Sequence, residues 1–182
     1  MKLLLLFGLF SSSVFGVDLE RNPIYAQIIK NKPKINKKYA KDLSNIIHNV
    51  TGKYHISPRI FTAILMQESS YRLEARGCHW GIEKIDVYDP NNPDTISFIA
   101  EKETKVCSDF GIGQIYYKTA KSFGFKMNKL TTDLKYSVDA AAQVLSDFRK
   151  RYESREIFYW TRYNASSKDK RKVYRKLVQR YL

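Results

Sequence analysis

Apolar positions recur at helical spacing along most of the chain. From Asn36 onward Tyr39, Leu43, Ile46, Ile47 and Val50 share one face, which predicts an amphipathic helix stopped at Thr51-Gly52. A second helix follows at once: Ser57 can cap, Pro58 suits the first helical position, and Ile60, Phe61, Ile64 and Leu65 make its stripe. Val138, Ala141, Ala142, Leu145, Phe148 and Tyr152 predict a third, and Val173, Tyr174, Leu177, Val178 and Tyr181 a terminal one. Upstream, Ile24, Tyr25, Ile28 and Ile29 fit a short helix before a linker at Lys32-Pro33-Lys34. No stretch alternates convincingly for more than a few residues, and there are no internal repeats. The fold class is therefore mainly α. A small β-hairpin has room in the irregular segment around Asp89-Pro90-Asn91-Asn92-Pro93-Asp94, between the two cysteines.

One carboxylate interrupts the pattern. Glu68 stands three residues after Leu65, four after Ile64 and seven after Phe61, so on a continued helix it points with the core stripe. Dehydration there disfavours the ionised form and raises the pKa, and an acid still protonated near neutrality can deliver a proton to a leaving group. The alternative is that Glu68 lies past the helix end and pairs with Arg72 or Arg76.

Composition adds compartment and charge. The length of 182 residues suits one domain. Residues 1–16, with Lys2, an apolar run Leu3 to Phe10 and small residues up to Gly16, read as a signal peptide rather than an anchor, since they fall short of the roughly 20 apolar residues a spanning helix needs. Residues 17–37 then form a basic N-terminal segment and 38–182 the domain. With no cysteine near the cleavage region to take a lipid, a soluble exported product is expected, periplasmic or secreted. In an oxidising compartment Cys78 and Cys107 are expected to pair, worth about 3 to 4 kcal/mol through loop closure. Two unrelated buried thiols are the competing reading. The scattered His48, His55 and His79 give no metal-ligand spacing with both cysteines. A net charge of +14 draws the protein toward polyanions, which for an exported chain means anionic envelope polymers or lipid headgroups; a nucleic-acid role would rest on charge alone, without a reading module.

Four motifs occur in order. Gln67-Glu68-Ser69-Ser70-Tyr71 ends an apolar helix, Gly111-Ile112-Gly113-Gln114-Ile115 follows a loop, an Ala-rich helix spans Asp139 to Phe148, and Arg162-Tyr163-Asn164-Ala165 precedes the last helix. The series resembles the catalytic domain of the soluble lytic transglycosylase family, related in fold to goose-type lysozyme, over roughly Lys38 to Leu182. The resemblance implies a lysozyme-like single domain, with Glu68 as catalytic acid and Ser69 helping to hold the glutamate and a sugar substituent. It implies that Gln114 lines the cleft, that Gly111 and Gly113 let a glycan approach the backbone, that the Tyr163 hydroxyl lies close to Glu68, and that Asn164 orients backbone or sugar. Gly113 replaces the family's usual methionine, which would remove a side chain from the groove wall. The segment Gly77 to Cys107 is longer than usual, and would form a wall or lid over the cleft or a docking surface for a secretion, conjugation or phage assembly.

Cleavage of a glycosidic bond usually takes two carboxylates. Asp109, just before the second motif, is the best candidate for a partner; Asp86, Asp89 and Asp94 are more distant. Without a second carboxylate the family mechanism applies: Glu68 acts as acid and then base on peptidoglycan, between N-acetylmuramic acid and N-acetylglucosamine, leaving 1,6-anhydro ends. That chemistry calls for no metal or other cofactor, and the protein is expected to act as a monomer. The rivals are a hydrolytic muramidase of the same fold, acting on modified or deacetylated glycan with Asp109 or a loop aspartate positioning water, and a noncatalytic wall-binding component of an envelope assembly.

Overall fold

The computed structural model describes residues 22–89 and 92–182, with 79 and 81–102 by backbone alone. The expected signal peptide lies outside these residues, as do the first positions of the basic segment. Seven α-helices and a three-stranded sheet are described.

α1 (Pro23–Asn31) is capped by Asn22, whose side chain accepts from the Ile24 and Tyr25 amides. α2 (Lys37–Tyr54) begins at Asn36, which caps the Tyr39 amide. Its end differs from expectation. The helix continues through Gly52 to Tyr54, and His55, at φ 54°, makes the left-handed turn. Tertiary contacts outweigh the glycine here, because the Tyr54 hydroxyl donates to Asp139 at 3.0 Å and fixes the last turn on the helix that carries Asp139.

α3 (Pro58–Ser69) starts where Ser57 and Pro58 predict, with the Ser57 hydroxyl accepting from the Ile60 amide. Phe61, Thr62, Ala63, Ile64 and Leu65 are all buried, so this helix runs through the core. α1 and α2 pack on it from one direction and α7 (Lys168–Gln179) from another. α6 (Leu134–Tyr152) lies along α2 and buries Val138, Ala141, Ala142 and Leu145; its alanines leave room for close approach.

The hairpin expected between the cysteines is there, and it takes up the whole bracketed segment. β1 (Arg76–Asp89) pairs antiparallel with β2 (Asn92–Phe110), with Cys78 opposite Cys107, and these two cysteines form a disulfide. A short β3 (Ile115–Tyr116) pairs with the end of β2, Asp109 opposite Tyr116 and Phe110 opposite Ile115. Two short helices, α4 (Tyr117–Ser122) and α5 (Met127–Thr132), lead into α6. A single 3-10 turn, Tyr159–Tyr163, connects α6 to α7.

Candidate active site

Glu68 sits in the last turn of α3, inside the helix, so its side chain keeps the direction of the core stripe. The helix ends beyond it on two consecutive non-glycine residues in the left-handed region, Ser70 at φ 54° and Tyr71 at φ 61°. Such a turn is costly for residues with a β-carbon and persists only when its surroundings hold it. Here Lys32 donates its ammonium to the Ser70 carbonyl at 2.7 Å and the Tyr39 hydroxyl donates to the Tyr71 carbonyl at 2.8 Å. The Tyr71 ring itself is buried. Thus α1, α2 and the linker between them fix the chain just past Glu68.

Two side chains clasp the Glu68 carboxylate from the far end of the sequence. The Asn164 amide donates to both oxygens, at 3.2 and 3.0 Å, and the Tyr174 hydroxyl donates to Oε1. Burial raises the pKa; the bonds from Tyr174 and Asn164 oppose it, the charge of Asp109 adds to it, and the carboxyl is pushed up to about 7. It can therefore hold or release a proton near neutrality. Asn164 is exposed, so this side of the carboxylate opens to solvent.

The Gly111-to-Gln114 turn packs beneath. Gly111 is at φ 77°, and a β-carbon there would collide with the Leu130 carbonyl and the Ser137 hydroxyl. A β-carbon on Gly113 would come within 2.6 Å of both the Ala141 side chain and the Tyr163 hydroxyl. Both glycines are buried, and what approaches their backbone is protein rather than glycan. The loss of the family's methionine therefore does not hollow out the groove wall at this position, because Ala141 and Tyr163 occupy the space. Gln114, at φ 46°, is half-buried and donates its amide to the carbonyls of Ala75 and Gly111 at 3.1 and 2.9 Å.

Other expected residues fall near the carboxylate with different partners. The Ser69 hydroxyl is buried and donates to the Ile112 carbonyl at 2.7 Å while accepting from the Arg72 amide at 3.2 Å. It ties α3 to the glycine turn rather than holding Glu68 or facing a sugar. The Tyr163 hydroxyl donates to the Gly113 carbonyl at 2.9 Å, not to Glu68. Burial, and then the Glu68 charge, push its pKa well above the usual range, so it is a fixed neutral donor beside the carboxylate. Asp109 stands at the base of the hairpin, opposite Gly77, with its carboxylate accepting from the Ser108 hydroxyl at 2.6 Å.

Tyr174 was not among the expected site residues. Its helical spacing made it one member of the terminal core stripe, and it is indeed buried there. The available signal was chemical: a tyrosine on an inward stripe must find a partner for its hydroxyl. That partner is Glu68, because α7 packs against α3.

The helix-borne glutamate, the glycine turn and Asn164 come together as the motifs imply, but the tyrosine that bonds the carboxylate is Tyr174 of α7 and not the Tyr163 of the fourth motif. A family model described as Transglycosylase SLT domain matches residues 45–179, most of the chain. The chain belongs to the transglycosylase SLT domain family. Nothing matches among curated proteins or among solved structures. The family match runs from α2 to the end of α7, so it includes Glu68, the glycine turn, the hairpin and Tyr174. SLT membership makes this a transglycosylase-type enzyme with peptidoglycan as its substrate.

Proposed function

We propose that the protein is an exported lytic transglycosylase that cleaves the β-1,4 bond between N-acetylmuramic acid and N-acetylglucosamine. The observation that carries this reading is the Glu68 carboxyl, half-buried, raised to about 7 and held by Tyr174 and Asn164. In its protonated form Glu68 gives its proton to the bridging oxygen as the bond from the anomeric carbon breaks. The substrate's N-acetyl group assists at that carbon, and the 6-hydroxyl of the muramic acid then closes on it. Glu68, now ionised, takes the hydroxyl proton and returns to its starting state. The balance requires no water, and the product is a 1,6-anhydro end.

A group that must serve as acid and then base works best with a pKa near the operating pH, which is where burial and the two donors leave Glu68. The exposed Asn164 marks the solvent side of the carboxylate, while Gln114 ties the glycine turn to the Ala75 carbonyl and the Tyr163 hydroxyl holds the Gly113 carbonyl. A hydrolytic variant of the same reaction is favoured by one feature, the charge of Asp109, which adds to the upward shift of the Glu68 carboxyl. In that reading Asp109 directs a water to the anomeric carbon.

Digestion of purified peptidoglycan, with mass spectrometry of the fragments, separates the two. Anhydro ends are expected, and reducing ends would move the assignment to a hydrolase with Asp109 as the second carboxylate. Glu68→Gln should lower turnover by about 10²- to 10⁴-fold while the glycan still binds. A variant that kept more than about a tenth of wild-type activity would remove Glu68 from the acid's role.

A further inference from the structure

The outer side of α7 and the loop before it carry two exposed aliphatic side chains among several cations. Ile157 is 87% exposed and Val173 60% exposed, each an isolated aliphatic side chain facing water. They flank one ridge. A hollow of about 360 Å³ runs past Ile157, Phe158, Lys168, Lys172 and Arg175, and the neighbouring hollow past Val173 and Lys176 shares Lys172 and Arg175 with it. Together the two are lined by six cationic residues and only two acids, Glu156 and Asp169. Glu156 is already engaged, paired with Arg162 and lying 3.9 Å from Arg171. The Arg175 guanidinium stacks 3.5 Å from the centre of the Phe158 ring, which props it beside Ile157.

Catalysis accounts for the inner face of this helix, where Tyr174 reaches Glu68, but not for the outer one. A polyanion in solution would be met by the cations alone. Aliphatic side chains held out in water among lysines and arginines match a bilayer surface instead, where the cations lie at headgroup level and the apolar residues enter the acyl boundary.

We propose that the outer face of α7 and the loop before it, with Ile157 and Val173 on either side of Lys172 and Arg175 and with Lys168 and Lys176 alongside, docks the enzyme on an anionic phospholipid surface. The helix that positions Glu68 from its inner side would then hold the active site at a fixed height above the membrane.

The test is sedimentation of the full chain with vesicles of phosphatidylcholine alone or mixed with phosphatidylglycerol. Binding is expected only to the mixed vesicles. Lys172→Glu with Lys176→Glu should weaken it at least about tenfold, and Ile157→Ser with Val173→Ser roughly fivefold or more. Lys37→Glu with Lys41→Glu, the same charge change on exposed positions of α2, should have little effect. A second readout uses Ile157→Trp, whose emission should shift to the blue on mixed vesicles beyond any change from Trp80 and Trp160. Absence of binding overturns the proposal. So does an equal loss from the two lysine pairs with none from the Ile157 and Val173 pair, or binding to soluble polyphosphate as tight as to vesicles; either would mark an unspecific polyanion attraction.

Discussion

Burial and hydrogen bonding pull the Glu68 carboxyl in opposite directions, and burial prevails by enough to leave it near 7 instead of its ordinary 4.5. The folded protein therefore binds this proton more tightly than the unfolded chain does. Below the ordinary carboxyl range both states are protonated and the residue has no pH-dependent effect. Between 4.5 and about 7 the unfolded chain gives up the proton first, so stability falls as pH rises through that window, by at most about 3 kcal/mol. Glu68→Gln removes the penalty: its melting temperature should exceed wild type at pH 8 and match it near pH 4. Equal melting temperatures at pH 8 would mean that the carboxyl is better hydrated than its setting implies. Tyr174 acts in the opposite sense, since its hydroxyl favours the ionised form. Tyr174→Phe should move the limb of the pH-rate profile at which activity is lost as Glu68 ionises to higher pH. A limb that stayed in place would leave Tyr174 a packing residue only.

Among the elements, the hairpin and the glycine turn depend on each other. Gly77 stands so close to Asp109 and Gln114 that a β-carbon would lie 3.0 Å from each, and β3 fastens the end of β2 to the turn. The disulfide joins Cys78 and Cys107 immediately outside this junction. Opening it frees a long loop in the unfolded chain. Cys78→Ser with Cys107→Ser should lower stability by about 3 to 4 kcal/mol, read from the urea midpoint, and should also loosen Asp109 beside the site. An unchanged midpoint would mean that the hairpin melts separately from the core.

For the whole molecule, the charge of +14 is concentrated by the fold as well as supplied by composition. On α7 it gathers near the exposed Val173, with a single acid in the helix's first turn. Export, which is part of the proposed function, makes a separate prediction. When the full chain is expressed in a secreting host, N-terminal sequencing of the exported product should begin close after Gly16. Recovery of an intact N-terminus from the cell envelope would make residues 1–16 an anchor instead.

The helices were legible because burial imposes a period on the sequence: the stripes ending at Leu65 and running from Val138 are core faces in the fold, as are Tyr174 and Val178 of the last helix, whereas Val173, expected on the same stripe, faces solvent. Glu68 was legible for the same reason, as the one acid on such a stripe. The fold class, the inward acid and the family resemblance thus follow from local order along the chain. The hairpin was expected between the cysteines, but the length of its strands was hidden because β1 and β2 take their stability from pairing with each other, register by register, which leaves no strong alternation to read. The end of α2 was misplaced because a contact made by Tyr54 across to Asp139 outweighs a local glycine signal. The partners of each site residue were decided only in three dimensions. Ser69 turns to the Ile112 carbonyl, Tyr163 to Gly113, and Tyr174 takes the place beside the glutamate, since which hydroxyl meets which acceptor depends on how α3, α6 and α7 pack. Sequence by itself placed a proton donor at the end of a buried helix; the tertiary packing chose the groups that hold it and raised its pKa toward neutrality, because dehydration and hydrogen bonding exist only once the helices meet.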